Sequence, residues 1–327
     1  MKETEANHVI QRAFVLGAGL GTRLKSLTAN RPKPLIPVCG KPLISHAFEH
    51  LAGVGINQLV VNTHHCAEKY SELFPSASYD GLPIRFAHEE LLLETAGGIK
   101  NVEPLLRGDG PAGAFIVYNG DIFTDLPLER AVAHHFRSGN EVTLVLRSKE
   151  QPHHIALDEH GRVLDISNRL GISSGRLFLF TGIYIVEPAF FARIPADTKI
   201  SVIPIFMEMI RESARLGGVV VDEGDWWDLG TREQYLELHR HLKAAEQAEN
   251  GNRPHPRCWI DSSAKVAPSA RLLGATSVGA NVEIGANAAL SDCIIWENAK
   301  IAPESVLKNC VVTAGAQVRG VHTDEDL

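Results

Sequence analysis

From residue 260 the chain repeats every six residues: Ile260, Val266, Leu272, Val278, Ile284 and Leu290 form one apolar row, with Ala, Gly, Ser and Asn frequent between them. A period of six fits neither the 3.6-residue turn of a helix nor the alternation of a two-faced strand. It fits a chain that turns a corner after each short strand, so that three hexads close one coil and like side chains stack from coil to coil. The row resumes out of phase at Ile301 and Leu307, with Val312 a further candidate. The pattern predicts a short left-handed parallel β-helix of about three coils over residues 258–320, followed by a tail at 321–327.

The preceding sequence is organised differently. Short apolar runs alternate with amphipathic stretches, which predicts an α/β domain over residues 1–247. Gly251, Pro254 and Pro256 mark a linker at 248–257. With 44% hydrophobic residues in 327, the chain can bury a substantial core. A net charge of −7 excludes general electrostatic attraction to nucleic acid, so basic residues must act locally. The five cysteines, Cys39, Cys66, Cys258, Cys293 and Cys310, contain no C-x-x-C pair and suit a reduced cytoplasm. No segment approaches the ~18 apolar residues of a membrane span, and the first residues carry no apolar signal core.

Within the α/β domain, the apolar run Ala13 to Leu16 breaks into Gly17, Gly19 and Gly21 and is followed by Arg23, Lys25 and Lys33. This reads as a strand opening onto a phosphate cradle: glycines let backbone N–H groups approach an anion, and the cations neutralise it. A dinucleotide fingerprint would need glycine at Thr22, and a Walker A loop would need G-K-[ST]; both fail on spacing. A ligand-free turn would explain the glycines but not Arg23 or the Pro32-Lys33-Pro34 clamp. Pro42 to Leu51 reads as a helix with Pro near its start, and Gln58 to Asn62 as a second strand, completing a β-α-β unit. Ala114 to Tyr118 reads as a central strand ending in Asn119-Gly120-Asp121, which places Asp121 where open α/β sheets bind ligands. Ile155 to Ile166 alternates as a hairpin about Asp158 to Gly161.

The stretch 14–44 resembles the signature of the sugar-1-phosphate nucleotidyltransferases, L-A-A-G-x-G-T-R-L followed by P-K-P-L-x-P-V and K-P-L-I, with Gly17 where Ala is usual. The resemblance implies a Rossmann-like mixed-sheet domain joined to the β-helix. It implies that Arg23 and Lys33 are catalytic, acting on the triphosphate and the reacting phosphates, and that Leu16, Gly17, Ala18, Gly19, Gly21, Thr22, Glu89, Thr95 and Gly97 bind the nucleotide. Glu94-Thr95-Ala96-Gly97-Gly98 stands where relatives hold the base. The bland alternative is a helix start with Thr95 as cap and Glu94 on the dipole. Asn119, Arg169 and Gly182 are the implied sugar contacts, Arg169 replacing the lysine of an absent Glu-Lys-Pro. Asp121 and Asp228, the latter in Trp226-Trp227-Asp228-Leu229-Gly230-Thr231, are the implied Mg²⁺ ligands. Glu187, Asp222, Glu223 and Asp225 read as solvated charges.

Arg23, Lys33, Asp121 and Asp228 are thus expected to converge on one crevice. The expected reaction is attack of a sugar 1-phosphate on the α-phosphorus of an NTP, releasing pyrophosphate. Two pairs remain open, GTP with mannose 1-phosphate and UTP with N-acetylmuramate 1-phosphate. An inactive regulatory homologue is the alternative. An acyltransferase in the β-helix lacks a catalytic histidine, since His255 and His322 lie outside the repeat. The expected location is cytoplasmic, with no nucleic-acid or membrane partner. Exposed coil ends and edges argue for a homo-oligomer formed through the β-helix.

Overall fold

The computed structural model describes residues 9–19, 21–108, 113–172, 174–248 and 260–327. The expected linker lies, apart from residue 248, outside them, as do His255 and Cys258. The chain forms two compact units: residues 1–20 with 44–226, and residues 21–43 with 227–327.

The first unit is built on a mixed sheet. Strand β1 (Arg12–Leu16) lies between two parallel neighbours, β2 (Gln58–Thr63) and, on the other side, the strand Phe115–Asn119. Ala13, Phe14 and Val15 are fully buried, as a strand covered on both faces requires. Strand β3 (Leu82–His88) extends the sheet in parallel beyond β2, and Phe115–Asn119 is β4. Beyond them come β5 (Val142–Arg147), the hairpin β6 (Ile155–Leu157) and β7 (Val163–Ile166), then β8 (Arg176–Val186) and β9 (Leu216–Val220). Strand β8 joins the parts: its first residues pair with β6, and its later residues run antiparallel to both β4 and β5. Helices α1 (Leu43–Gly53), α2 (Glu68–Leu73), α3 (Glu94–Asn101), α4 (Glu103–Arg107), α5 (Leu128–Ser138) and α6 (Val202–Arg211) complete an α/β architecture. Ile99, Phe115, Val117, Leu144, Tyr184 and Phe206 belong to its main buried cluster.

In the second unit the six-residue row becomes a three-sided coil. Val266, Ile284, Ile301 and Val318 stack in one parallel sheet, Leu272, Leu290 and Leu307 in a second, and Val278, Ile295 and Val312 in a third. The phase change has a local cause. Leu290 is followed by Ile295, and Leu307 by Val312, across corners where Asp292 and Asn309 adopt positive φ, so each corner is one residue shorter. Asn, Asp and Gly tolerate that left-handed conformation best, which explains the composition between the apolar positions. The coil continues through the expected tail: Val321–Thr323 pairs with Val306–Lys308, and Leu327 N–H donates to Val311 O at 2.9 Å. Helix α7 (Arg232–Ala248) belongs to this unit, and so do the segments Thr22–Thr28 and Lys33–Leu35, both tight 3₁₀ turns.

Candidate active site

In the first unit a buried amide organises the glycine turn. Asn62, near the end of β2 and only 2% exposed, accepts from Gly17 N–H at 2.8 Å and donates to Glu89 Oε1 at 2.7 Å. Glu89 Oε2 accepts from Leu93 N–H at 2.9 Å, so one chain of bonds runs from the glycine turn to the start of α3. Both Glu89 oxygens are therefore engaged inside the protein, and the residue fixes the loop from behind. Position 17 has no room for a side chain: a Cβ there would lie 2.5 Å from Asn62 O and 2.8 Å from Tyr70 Oη. Tyr70 Oη donates to Gly17 O at 2.9 Å. Burial, and then the charge of Asp121, push its phenol pKa upward. Asp121 follows Gly120, whose N–H bonds Leu16 O at 3.0 Å.

The base-loop residues are backed by the segment before α6. Ala96 and Gly97 N–H groups both donate to Ile200 O at 3.0 Å, and Thr95 Oγ1 accepts from Val202 N–H at 2.7 Å. Thr95 thus ties two segments together instead of capping α3. Glu94 is exposed, at φ +62, an uncommon state for a residue with a Cβ.

Asn119 and Gly182 meet across β4 and β8. Gly182 has φ +83, and a Cβ there would fall 2.5 Å from Asn119 Nδ2, so glycine is required by both conformation and contact. Arg169 lies exposed on the loop after β7. That loop turns about Asp165, which is 2% exposed and accepts backbone N–H groups from Ile166, Leu170 and Ile172. Burial opposes ionisation of Asp165, but these donors prevail and hold its pKa below the ordinary carboxylate range. Three of the acids read as solvated are engaged, Glu223 in an ion pair with Arg130. Asp222 accepts from Ser148 N–H at 2.8 Å and Ser148 Oγ at 2.6 Å, and Glu187 Oε1 lies 3.3 Å from His135 Nε2.

In the second unit Asp228 collects two cations of the signature loop. Lys33 Nζ donates to its Oδ1 at 3.0 Å and Arg23 Nη2 to its Oδ2 at 3.2 Å. Lys33 is 4% exposed, whereas the Arg23 side chain is 63% exposed. Burial raises the Asp228 pKa, but Lys33 and then Arg23 outweigh it and keep the carboxyl below its usual range. Gly21, at φ +60, begins the Thr22–Thr28 turn, and its carbonyl accepts from Thr28 Oγ1 at 2.9 Å. Arg23, Lys33 and Asp228 are therefore brought together, while Asp121 stands in the other unit. Asn62, Tyr70 and Asp165 were not singled out from sequence. The available signal was a polar residue inside an otherwise buried strand, at Asn62 and Asp165.

A β-α-β turn drawn up by a buried amide, followed by a carboxylate clasped by two cations, defines a phosphate-handling α/β protein. The chain belongs to the nucleotidyl transferase family, which matches residues 12–245, and a GMPPB C-terminal domain matches residues 255–323. It is an enzyme of that class. Among its relatives, a mannose-1-phosphate guanylyltransferase of Mycobacterium tuberculosis is 30% identical over 93% of this chain and 84% of its own length. An N-acetylmuramate alpha-1-phosphate uridylyltransferase of Neisseria meningitidis is 31% identical over 67% of this chain and 93% of its own. HddC from Yersinia pseudotuberculosis shares the fold, with a TM-score of 0.58 at 22% identity, covering 70% of this chain and 97% of that one. Among the described residues no helix is long and apolar enough to cross a membrane.

Proposed function

We propose that the protein transfers a nucleotidyl group from GTP to mannose 1-phosphate, releasing pyrophosphate, in a Mg²⁺-dependent reaction. The observation that carries this reading is the pairing of Arg23 and Lys33 on one carboxylate in the loop just past the glycine turn. Asp228 holds the two cations at a common point before substrate arrives, and incoming phosphates take over their charge. The sugar phosphate is already an anion at pH 7, with a second pKa near 6, so no general base is needed. Positioning and charge neutralisation supply the rate.

In this reading the backbone at Leu16, Gly17, Ala18, Gly19, Gly21 and Thr22 receives the nucleotide, and Thr95 and Gly97 shape the base pocket. Asn119, Gly182 and Arg169 serve the sugar phosphate. Asp121 and Asp228 would each offer the hard carboxylate oxygens that Mg²⁺ prefers, so the donor types fit the ion. Bound there, Mg²⁺ would stabilise negative charge on the transferring phosphate. The match of residues 255–323 to a GMPPB C-terminal domain favours the guanylyl pair.

A second reading, UTP with N-acetylmuramate 1-phosphate, is favoured by Glu94. The uridylyltransferases of that kind resemble this chain in the L-E-T-A-G-G run, and here Glu94 holds a left-handed conformation that glycine would take without strain. Pyrophosphate release with four NTPs against a panel of sugar 1-phosphates decides between them. Turnover with GTP and mannose 1-phosphate above all other pairs is expected, and no turnover with any pair would favour an inactive regulatory homologue. A cytoplasmic location fits the free thiols of Cys39, Cys66, Cys293 and Cys310. A homo-oligomer would cover the outward apolar residues Leu273, Val306 and Val321 of one β-helix face.

A further inference from the structure

The signature loop does not pack only on itself. Arg31, two residues before Lys33, forms a bidentate pair with Glu297 on the coil and lies 4.8 Å over the Trp296 ring. Trp296 Nε1 donates to Tyr235 Oη of α7 at 3.2 Å, and Tyr235 Oη in turn bonds Pro37 O, just after the loop. Near the last residue of the chain, Asp326 accepts from Ser26 Oγ at 3.0 Å and from Arg232 Nε at 2.8 Å. Ser26 stands three residues after Arg23, and Arg232 four after Asp228. One carboxylate on the coil therefore grips both strands of chain that meet in the Arg23–Asp228–Lys33 cluster. These side chains are largely shielded, Arg31 at 15%, Arg232 at 16% and Asp326 at 20% exposure, so the pairs are far less screened than surface ones.

We propose that Glu297 and Asp326 are positioning residues of the catalytic loop, making the β-helix part of the active-site scaffold and not merely an appended module. This rests on the reading of Arg23 and Lys33 as phosphate-binding groups. The warrant is geometric: 3₁₀ turns hold few internal bonds of good geometry, so Thr22–Thr28 and Lys33–Leu35 depend on outside partners for a fixed position. A displacement of about 1 Å in a positioned group costs up to ~100-fold in rate. Sites of this kind need supporting bonds that lock the acting side chains.

The test uses full-length Glu297→Gln and Asp326→Asn, which keep volume and remove charge, with the exchanged pair Arg31→Glu plus Glu297→Arg as rescue. Each single variant should raise the KM for NTP or lower kcat by at least ~10-fold. Backbone amide exchange of residues 22–35 should accelerate while the strands of the central sheet keep wild-type protection. The exchanged pair should recover part of the loss. Wild-type kinetics and wild-type exchange in both singles, alongside an Arg23→Lys variant that is inactive, would overturn the proposal while leaving the functional reading intact. Faster exchange everywhere would also overturn it, because it would mean a general structural role. Wild-type activity of Arg23→Lys and Lys33→Ala would instead remove the functional reading, whatever the coil variants do.

Discussion

Arg23 and Lys33 are both cations of the signature loop, and both are paired with Asp228. Their burial separates them. The Arg23 side chain is 63% exposed, so Arg23→Lys should leave the melting temperature unchanged while turnover falls at least ~100-fold, since lysine cannot copy the planar fork. Lys33 is 4% exposed with its ammonium on Asp228, so Lys33→Ala removes a packed stem and takes from a partly buried carboxylate the more buried of its two cations. That variant should lose activity on the same scale and also about 1–3 kcal/mol of stability. Pyrophosphate release and thermal melts on the two variants measure both effects, and Lys33→Met should recover part of the stability but none of the rate. Glu89 carries the same lesson: a carboxylate beside the base loop reads as a ligand contact, yet both its oxygens serve Asn62 and Leu93.

At the scale of the element, the loop after β7 depends on Asp165, the buried carboxylate it turns about. Ser167 and Asn168 both have positive φ, a turn that the three N–H bonds to Asp165 sustain. Asp165→Ala should cost about 1–3 kcal/mol. If Arg169 serves the sugar phosphate, the same variant should raise the KM for sugar 1-phosphate and leave the KM for NTP unchanged. Helix α5 carries a pH response. Burial of His135, together with neighbouring His134, lowers its pKa to about 4 despite Glu187 at 3.3 Å. The native ring stays neutral while the unfolded ring binds a proton below about 6.5, so stability is full above that pH and falls as pH drops toward 4. The slope from one such proton is at most roughly 1.4 kcal/mol per pH unit. Denaturant unfolding of wild type and His135→Gln between pH 7 and 4 should show a flatter curve for the variant.

At the scale of the whole molecule, the grouping of residues 21–43 with 227–327 changes how the β-helix should be tested. Deleting residues after 247 would remove the partners of Arg31 and Ser26, so a truncated protein would report loop damage as well as assembly. Point changes on the outward face are cleaner. Val306 and Val321 are register partners, 42% and 74% exposed, with Leu273 at 52% on the same sheet. Val306→Lys with Val321→Glu should lower the mass measured by light scattering without shifting the melting temperature, if this face is the oligomer contact. An unchanged mass would place any assembly elsewhere.

The periodic parts were legible in the chain alone. A six-residue apolar row allows few folds other than a stacked coil, and a buried apolar run breaking into glycines allows few outcomes other than a strand-turn at a sheet's ligand end, because both follow from local geometry. The resemblance also put Arg23, Lys33, Asp121 and Asp228 forward together, through separate motifs; Arg23 and Lys33 meet Asp228 in one unit, and Asp121 stands in the other. Contacts with no local period emerged only on folding: Asn62 reaching the glycine turn, Asp165 gathering its loop, and Asp326 holding Ser26 and Arg232 at once. A hydrogen bond from a single side chain leaves no repeat in the sequence, and its partner is chosen by which segments the fold brings within about 3 Å.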